Sequence, residues 1–154
     1  MGFVKKNIAI IYVDKNNAYF YIGSTGVTLR LDFPLDVISD LDLLNKEKFD
    51  QLIDVFIKTN NLGGVGFETI IIFSPGLIFE KDFADNPNEE KDAQIQKFID
   101  IVPFEDILSK NYKLNKKTKV VVINKKIYEA LRDAMGKNKF SVLLALPYPV
   151  LQET

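Results

Sequence analysis

Three apolar segments follow one another near the start of the chain with only turn sequences between them: Asn7 to Asp14 (NIAIIYVD), Ala18 to Ile22 (AYFYI) and Val27 to Phe33 (VTLRLDF). The connecting stretches, Asp14-Lys-Asn-Asn17 and Gly23-Ser-Thr-Gly26, are too short for a helical crossover and rich in residues that tolerate turn backbone. Strands joined this way pair antiparallel, so the chain begins as a three-strand meander. The first run is unbroken in its hydrophobicity and reads as a central strand buried on both faces. The third alternates Val27, Leu29, Leu31 and Phe33 with Thr28, Arg30 and Asp32, which gives it one wet face.

The pattern then changes period. After an irregular stretch from Pro34 to Leu44, Asn45 caps a helix expected to run to about Asn60, with Phe49, Leu52, Ile53, Phe56 and Ile57 on one face. Thr69 to Phe73 (TIIIF) is a second apolar strand, reached by a crossover long enough for parallel pairing, and LIFEKDF suggests an edge strand. A second helix is expected from about Asn88 to Ile101, stopped by Pro103, with a short helical turn over Phe104 to Leu108. Lys110 to Lys119 reads as a polar, basic connection into a buried strand, VVVIN. Asn124 caps a third helix that Gly136 ends, and Phe140 to Pro147 is the last strand, followed by PYPVLQET without a terminal element. The order β-β-β-α-β-(β)-α-β-α-β predicts an α/β (α+β) fold: one mixed sheet with helices on its faces, a ribonuclease H/actin-like half-domain. Residues 1–154 form one domain in this reading, divisible at 75/76 into a meander-plus-helix part and a helix-strand-helix-strand part.

At 154 residues, with 20 basic against 21 acidic side chains, the chain has the size of one domain and no global field to attract nucleic acid. It contains neither cysteine nor histidine, which removes disulfides, thiolate and imidazole metal sites, cysteine nucleophiles and the commonest general base. Only carboxylate, lysine, tyrosine, serine and threonine chemistry remains. No run approaches the ~18 apolar residues of a membrane span, and MGFVKKN does not lead into a signal sequence, so the expected location is cytoplasmic.

Two local features invite chemistry. Gly63-Gly-Val-Gly66 has phosphate-loop composition, but it follows a helix and precedes a strand, the reverse of the order in which helix N-terminal amides meet phosphate; it reads as a helix stop. Asp14 ends the first strand, where a nuclease holds a metal carboxylate and an actin-like ATPase turns around phosphate. The further acids that two-metal chemistry needs are missing, and Asp14-Lys-Asn-Asn17 has no glycine through which backbone amides approach a phosphate closely. Asp14 and Lys15 are the candidate residues for nucleotide binding as Mg-ATP, the alternative reading; no catalytic or metal-ligating residue is assigned. Seven lysines between Ile107 and Tyr128, with no acid among them, form a basic stretch: a solvated surface, or a patch for an acidic partner.

The later segments EEKDAQIQKFIDIVPFEDILSKNYKL and KTKVVVINKKIYEALRDAMGKNKFSVLLALP resemble the PilM family of actin-like type IV pilus assembly proteins, relatives of FtsA and of the cytoplasmic region of the type II secretion L protein. Ile101-Val-Pro-Phe-Glu-Asp-Ile107 matches the family's Ile/Val-Pro-Phe turn, Lys110-Asn-Tyr112 its polar and aromatic segment, and Met135-Gly136 with Phe140 to Leu146 part of its last strand. The resemblance implies the N-terminal half of such a protein: a non-catalytic cytoplasmic scaffold at the inner face of the membrane, docking a segment of a membrane-anchored pilus or secretion protein. Phe104, Ile107 and Tyr112 are the contacts it suggests, with core packing as the competing role for Phe104. Self-association is a further expectation; nucleic-acid binding and membrane insertion are not expected.

Overall fold

The computed structural model describes residues 7–85 and 90–153. The meander forms as its turns require: β1 (Ile8–Val13), β2 (Asn17–Ile22) and β3 (Val27–Asp32) pair antiparallel in sequence. Asn45 caps α1 (Lys46–Thr59), its side chain accepting from the Lys48 N–H at 3.0 Å. The chain then returns as β6 (Phe67–Phe73), parallel to β1. Far along the sequence, α3 (Lys125–Lys137) and β10 (Phe140–Pro147) add to the same unit, β10 lying parallel to β6. The result is a mixed five-stranded sheet, ordered β10-β6-β1-β2-β3, with β1 at its centre.

Both α1 and α3 lie on one face of this sheet, where Ala9, Ile11, Val13, Phe20, Ile71 and Phe140 are essentially inaccessible. Phe20 meets Phe56 of α1 at 4.7 Å between ring centroids, and Phe67 stacks on Phe140 at 4.5 Å. The expectation that β1 is buried on both faces is corrected here. Its burial alternates, and the residues of the opposite face are only half covered, Ile8 remaining 46% exposed and Tyr21 of β2 42%.

The segment between β6 and α3 forms a second sheet. Pro75–Leu77 makes a single 3-10 turn into β7 (Ile78–Ala84); α2 (Lys91–Asp100) follows, then β8 (Ile107–Leu114) and β9 (Lys117–Asn124). These strands pair in the order β7-β9-β8, all antiparallel. VVVIN is therefore the buried centre of a separate three-stranded sheet, not a strand of the first one. Its one face packs on α2 through Phe83, Ile95, Val102, Val120 and Val122, and its other face looks toward the five-stranded sheet. Sheet pairing groups the chain differently from a 75/76 division, because α3 and β10 belong with the meander.

Four further expectations change. Phe104 to Leu108 is not helical, since β8 starts at Ile107, and Lys110 to Lys119 is a strand and a hairpin rather than a connection. Leu108, Tyr112 and Leu114 supply the alternation that pairing with β9 needs, and polar Lys110 on the same face obscures it. The Pro34 to Leu44 stretch contains a small hairpin, β4 (Ile38–Ser39) with β5 (Asp42–Leu43), turned by Asp40 and Leu41 at φ 51° and 62°. The C-terminal segment carries a short helix, α4 (Tyr148–Gln152), with Pro149 in its first turn, where a missing N–H costs nothing. The start expected for the second helix, Asn88, lies outside the described residues; from Lys91 onward the helix is present.

Candidate functional site

The parallel strands β1, β6 and β10 end in register, Val13 beside Phe73 and Phe73 beside Pro147. In open α/β sheets, that carboxyl edge is where ligand crevices form. Here it faces the three-stranded sheet, and the space between them is a cleft of about 330 Å³. Phe73, Ala145 and Pro147 form one side and Tyr128 of α3 one end; Leu108, Lys110, Tyr112, Val121 and Ile123 form the opposing wall. Strand pairing explains the wall: Leu108 is opposite Ile123 and Lys110 opposite Val121, so all four side chains leave the same face of the β8–β9 ribbon.

Among the described residues, the cleft is lined by apolar side chains together with its tyrosine hydroxyls, Ser109 and Lys110, and by no carboxylate. Burial pushes the Tyr112 phenol above its usual pKa, so it stays neutral and able to donate. Each lining tyrosine carries a cation over its ring, Lys110 at 5.2 Å from the Tyr112 centroid and Arg132 at 5.7 Å from that of Tyr128.

Next to the cleft wall, on the same face of the ribbon, Lys119 stands opposite Tyr112 and is almost fully buried. Its ammonium lies 2.8 Å from Asp82, 3.5 Å from Glu153 and 3.9 Å from Glu80, while Lys117 contacts Asp82 at 3.0 Å and also pairs with Glu153. Burial opposes the charge of Lys119, but the surrounding carboxylates outweigh it and its pKa is raised. Through Glu153 this network ties α4 to the second sheet, and Tyr148 at the start of α4 packs edge-on against Tyr12 of β1 at 6.0 Å. The two sheets are thus strapped together beside the cleft.

The structure separates the residues that the sequence suggested. Tyr112 faces the cleft. Ile107, an odd number of residues away on the same strand, points to the α2 side and packs against the second cluster. Phe104 packs there too, its ring 5.4 Å from that of Phe79, and borders a second depression beside Asp40, Asp42 and Glu105. The cleft residues that sequence reasoning missed, Phe73, Val121, Ala145 and Pro147, look like ordinary strand positions, and nothing local marks them.

Asp14 is held in place. Its carboxylate oxygen accepts from Ser74 Oγ at 2.6 Å and from the Lys15 N–H at 2.8 Å, and its own N–H donates to Asn17 at 2.8 Å, closing the turn. The side chain of Lys15 is exposed. The turn is tight and without glycine, and its acid is hydrogen-bonded to a buried serine. Among the described residues, no group of three or more acids is close enough to hold a metal ion.

No protein-family model matches the chain, and no curated protein matches it. Solved structures do. The cytoplasmic domain of EpsL, an inner membrane component of the type II secretion system of Vibrio cholerae, superposes with a TM-score of 0.56 at 9% identity, over 92% of this chain and 57% of that one. A Bacteroides thetaiotaomicron protein of actin-like ATPase fold and unknown function gives 0.53 at 11%, over 94% and 55%. A chain of the PilM–PilN type IV pilus biogenesis complex gives 0.53 at 7%, over 92% and 47%. The chain spans about half the length of these proteins. At such identities the likeness concerns architecture, and the five-stranded sheet with its helices matches these neighbours: the fold is actin-like.

Proposed function

We propose that this chain is a non-catalytic docking module of type IV pilus or secretion machinery, and that its cleft receives an extended segment of a membrane-anchored assembly protein. The observation that carries the reading is the cleft itself, an apolar trough between two sheets bordered by an edge strand. Such a trough suits side chains of an extended peptide, with backbone hydrogen bonds supplied by the edge. The neighbours support the setting, since one is a component of a secretion system at the inner membrane and another forms a pilus biogenesis complex with PilN. In this reading the protein works at the inner face of the membrane through its partner. Among the described residues no helix is long and apolar enough to cross a membrane. The non-catalytic character rests on Asp14 being engaged by Ser74 in a turn without glycine.

A photo-crosslinking amino acid at Tyr112, used in the native cell, tests the proposal. Irradiation is expected to yield an adduct with a membrane protein that disappears when Ala145→Arg fills the cleft. No adduct, or one indifferent to Ala145→Arg, overturns it.

A further inference from the structure

The seven lysines of the basic stretch differ in how they are matched. Lys117 and Lys119 are neutralised by Asp82 and Glu153, Lys125 by Glu129 and Lys126 by Glu105. The other three have no ion pair among the described residues: Lys110 and Lys113 on β8, and Lys116 in the turn that follows it. All three are exposed. The nearest competing influence is Asp85, which feels the charge of Lys113 but is hydrogen-bonded to Lys91.

This unmatched charge lies along a particular line. β8 is an outer strand of its sheet, so every second residue turns its N–H and C=O away from β9, with no strand among the described residues to receive them. The same edge borders the cleft, for Leu108, Ser109 and Lys110 in succession all line it. Lysines on an edge strand discourage pairing with neutral or basic strands. The same charges favour a strand that brings carboxylates, so the edge both rejects and selects.

We propose that the free edge of β8 receives an extended acidic peptide segment, which adds as a further strand with carboxylates on Lys110, Lys113 and Lys116 while an apolar side chain enters the cleft. This rests on the docking reading above and specifies the chemistry of the segment. The occupant is fixed by charge complementarity: the lining offers a cation and hydroxyl donors and no acid, so a basic segment finds no counter-charge in it.

Selection of random dodecapeptides displayed on phage against the folded chain tests this. Asp- and Glu-bearing apolar sequences are expected to enrich. A synthetic peptide from that pool should lose on the order of tenfold in affinity for Lys110→Glu/Lys113→Glu, as expected for lost charge pairs. Replacing its acids by lysine should restore binding to that variant. Should the glutamate variant fail to fold by circular dichroism, Lys110→Gln/Lys113→Gln is expected to show the loss of affinity, without the rescue by lysine. Cleft-dependent peptides without acids, unaffected by these substitutions, overturn the acidic chemistry and leave the docking reading standing. Peptide binding unmoved by Ala145→Arg, or no enrichment at all, removes both. A single-stranded oligonucleotide that binds more tightly than any peptide, through the same lysines, overturns the proposal in favour of a polyanion surface.

Discussion

Ser74 Oγ and Asp14 Oδ1 stand 2.6 Å apart, joining the carboxyl ends of the neighbouring parallel strands β6 and β1. Ser74 is only 2% exposed, and a Cβ placed on Gly76 would come within 2.8 Å of the same carboxylate oxygen. The backbone after β6 is therefore packed directly on Asp14. Ser74→Ala removes a hydrogen bond to a carboxylate and should cost about 1.5–3 kcal/mol. Gly76→Ala should also destabilise, because the acid has to leave Ser74. Urea denaturation of both variants measures this, and wild-type midpoints would remove the structural role assigned to Asp14.

The same contact leads to a prediction about nucleotide. A ligand at ~100 times its dissociation constant stabilises a fold by ~2.7 kcal/mol. Millimolar Mg-ATP is expected to leave the melting temperature unchanged, with Asp14→Asn and Lys15→Ala indistinguishable from the parent in their response. A stabilisation lost in either variant would revive the nucleotide reading.

How much of this was legible in the sequence depends on the range of the interaction that fixes each part. α1 and α3 are written locally, in Asn45 and Asn124 as caps and in helical spacing of apolar residues, and the structure follows both, except that α3 runs through the expected stop at Gly136 to Lys137. The meander is likewise forced by its short turns. The β8–β9 hairpin was hidden because Lys110 interrupts the alternation carried by Leu108, Tyr112 and Leu114. The cleft has no local signal at all. Ala145 faces Val121 only because β10 returns to the first sheet after the whole second sheet has been inserted.

Asn124 shows how a cap also joins distant segments. Its side-chain oxygen accepts from the Lys126 N–H at 2.9 Å, while its Nδ2 donates to the Leu41 carbonyl at 3.1 Å. Leu41 sits in left-handed backbone, φ 62°, a conformation costly for leucine. Asn124→Ala is expected to cost about 1–2 kcal/mol for the cap alone, with a further loss from the orphaned carbonyl. Asn124→Asp keeps the cap but turns a carboxylate oxygen toward the Leu41 carbonyl and Asp42, so it should be less stable than the parent. Thermal unfolding orders the three proteins, and an aspartate variant equal to the parent would show that the Leu41 contact contributes nothing.

The network around Lys119 sets a pH dependence. Hydrogen bonds from Lys119 and Lys117 hold the Asp82 carboxyl below its usual pKa, and Lys117 does the same for Glu153. A carboxyl depressed in the folded state contributes stability that is present above the unfolded value, ~4 for these side chains, and lost as pH falls through the lower folded value. Lys117 and Lys119, both raised, contribute below the ordinary lysine value and lose this as pH rises through their folded ones. Denaturation across pH 2–7 should therefore show an acid limb that is shallower in Asp82→Asn. Parallel limbs in variant and parent would mean that the unfolded chain keeps the same pairing.

The sheet between Tyr112 and Ile107 separates two roles that sequence alone could not. Ile107 and Phe104 pack against the α2 cluster, so Ile107→Ala and Phe104→Ala should each lower stability, by about 2–5 kcal/mol on the large-to-small scale and toward the low end because both are half-buried. Peptide affinity measured below the melting transition should stay within twofold of the parent. Tyr112→Ala opens the cleft wall and removes the ring beneath Lys110, so its main effect should be on affinity. Calorimetric titration with a cleft-selected peptide, paired with a melting curve for each variant, separates the two. If Ile107→Ala weakens binding as much as Tyr112→Ala, the segment reaches both faces of the ribbon and the cleft is not the whole site.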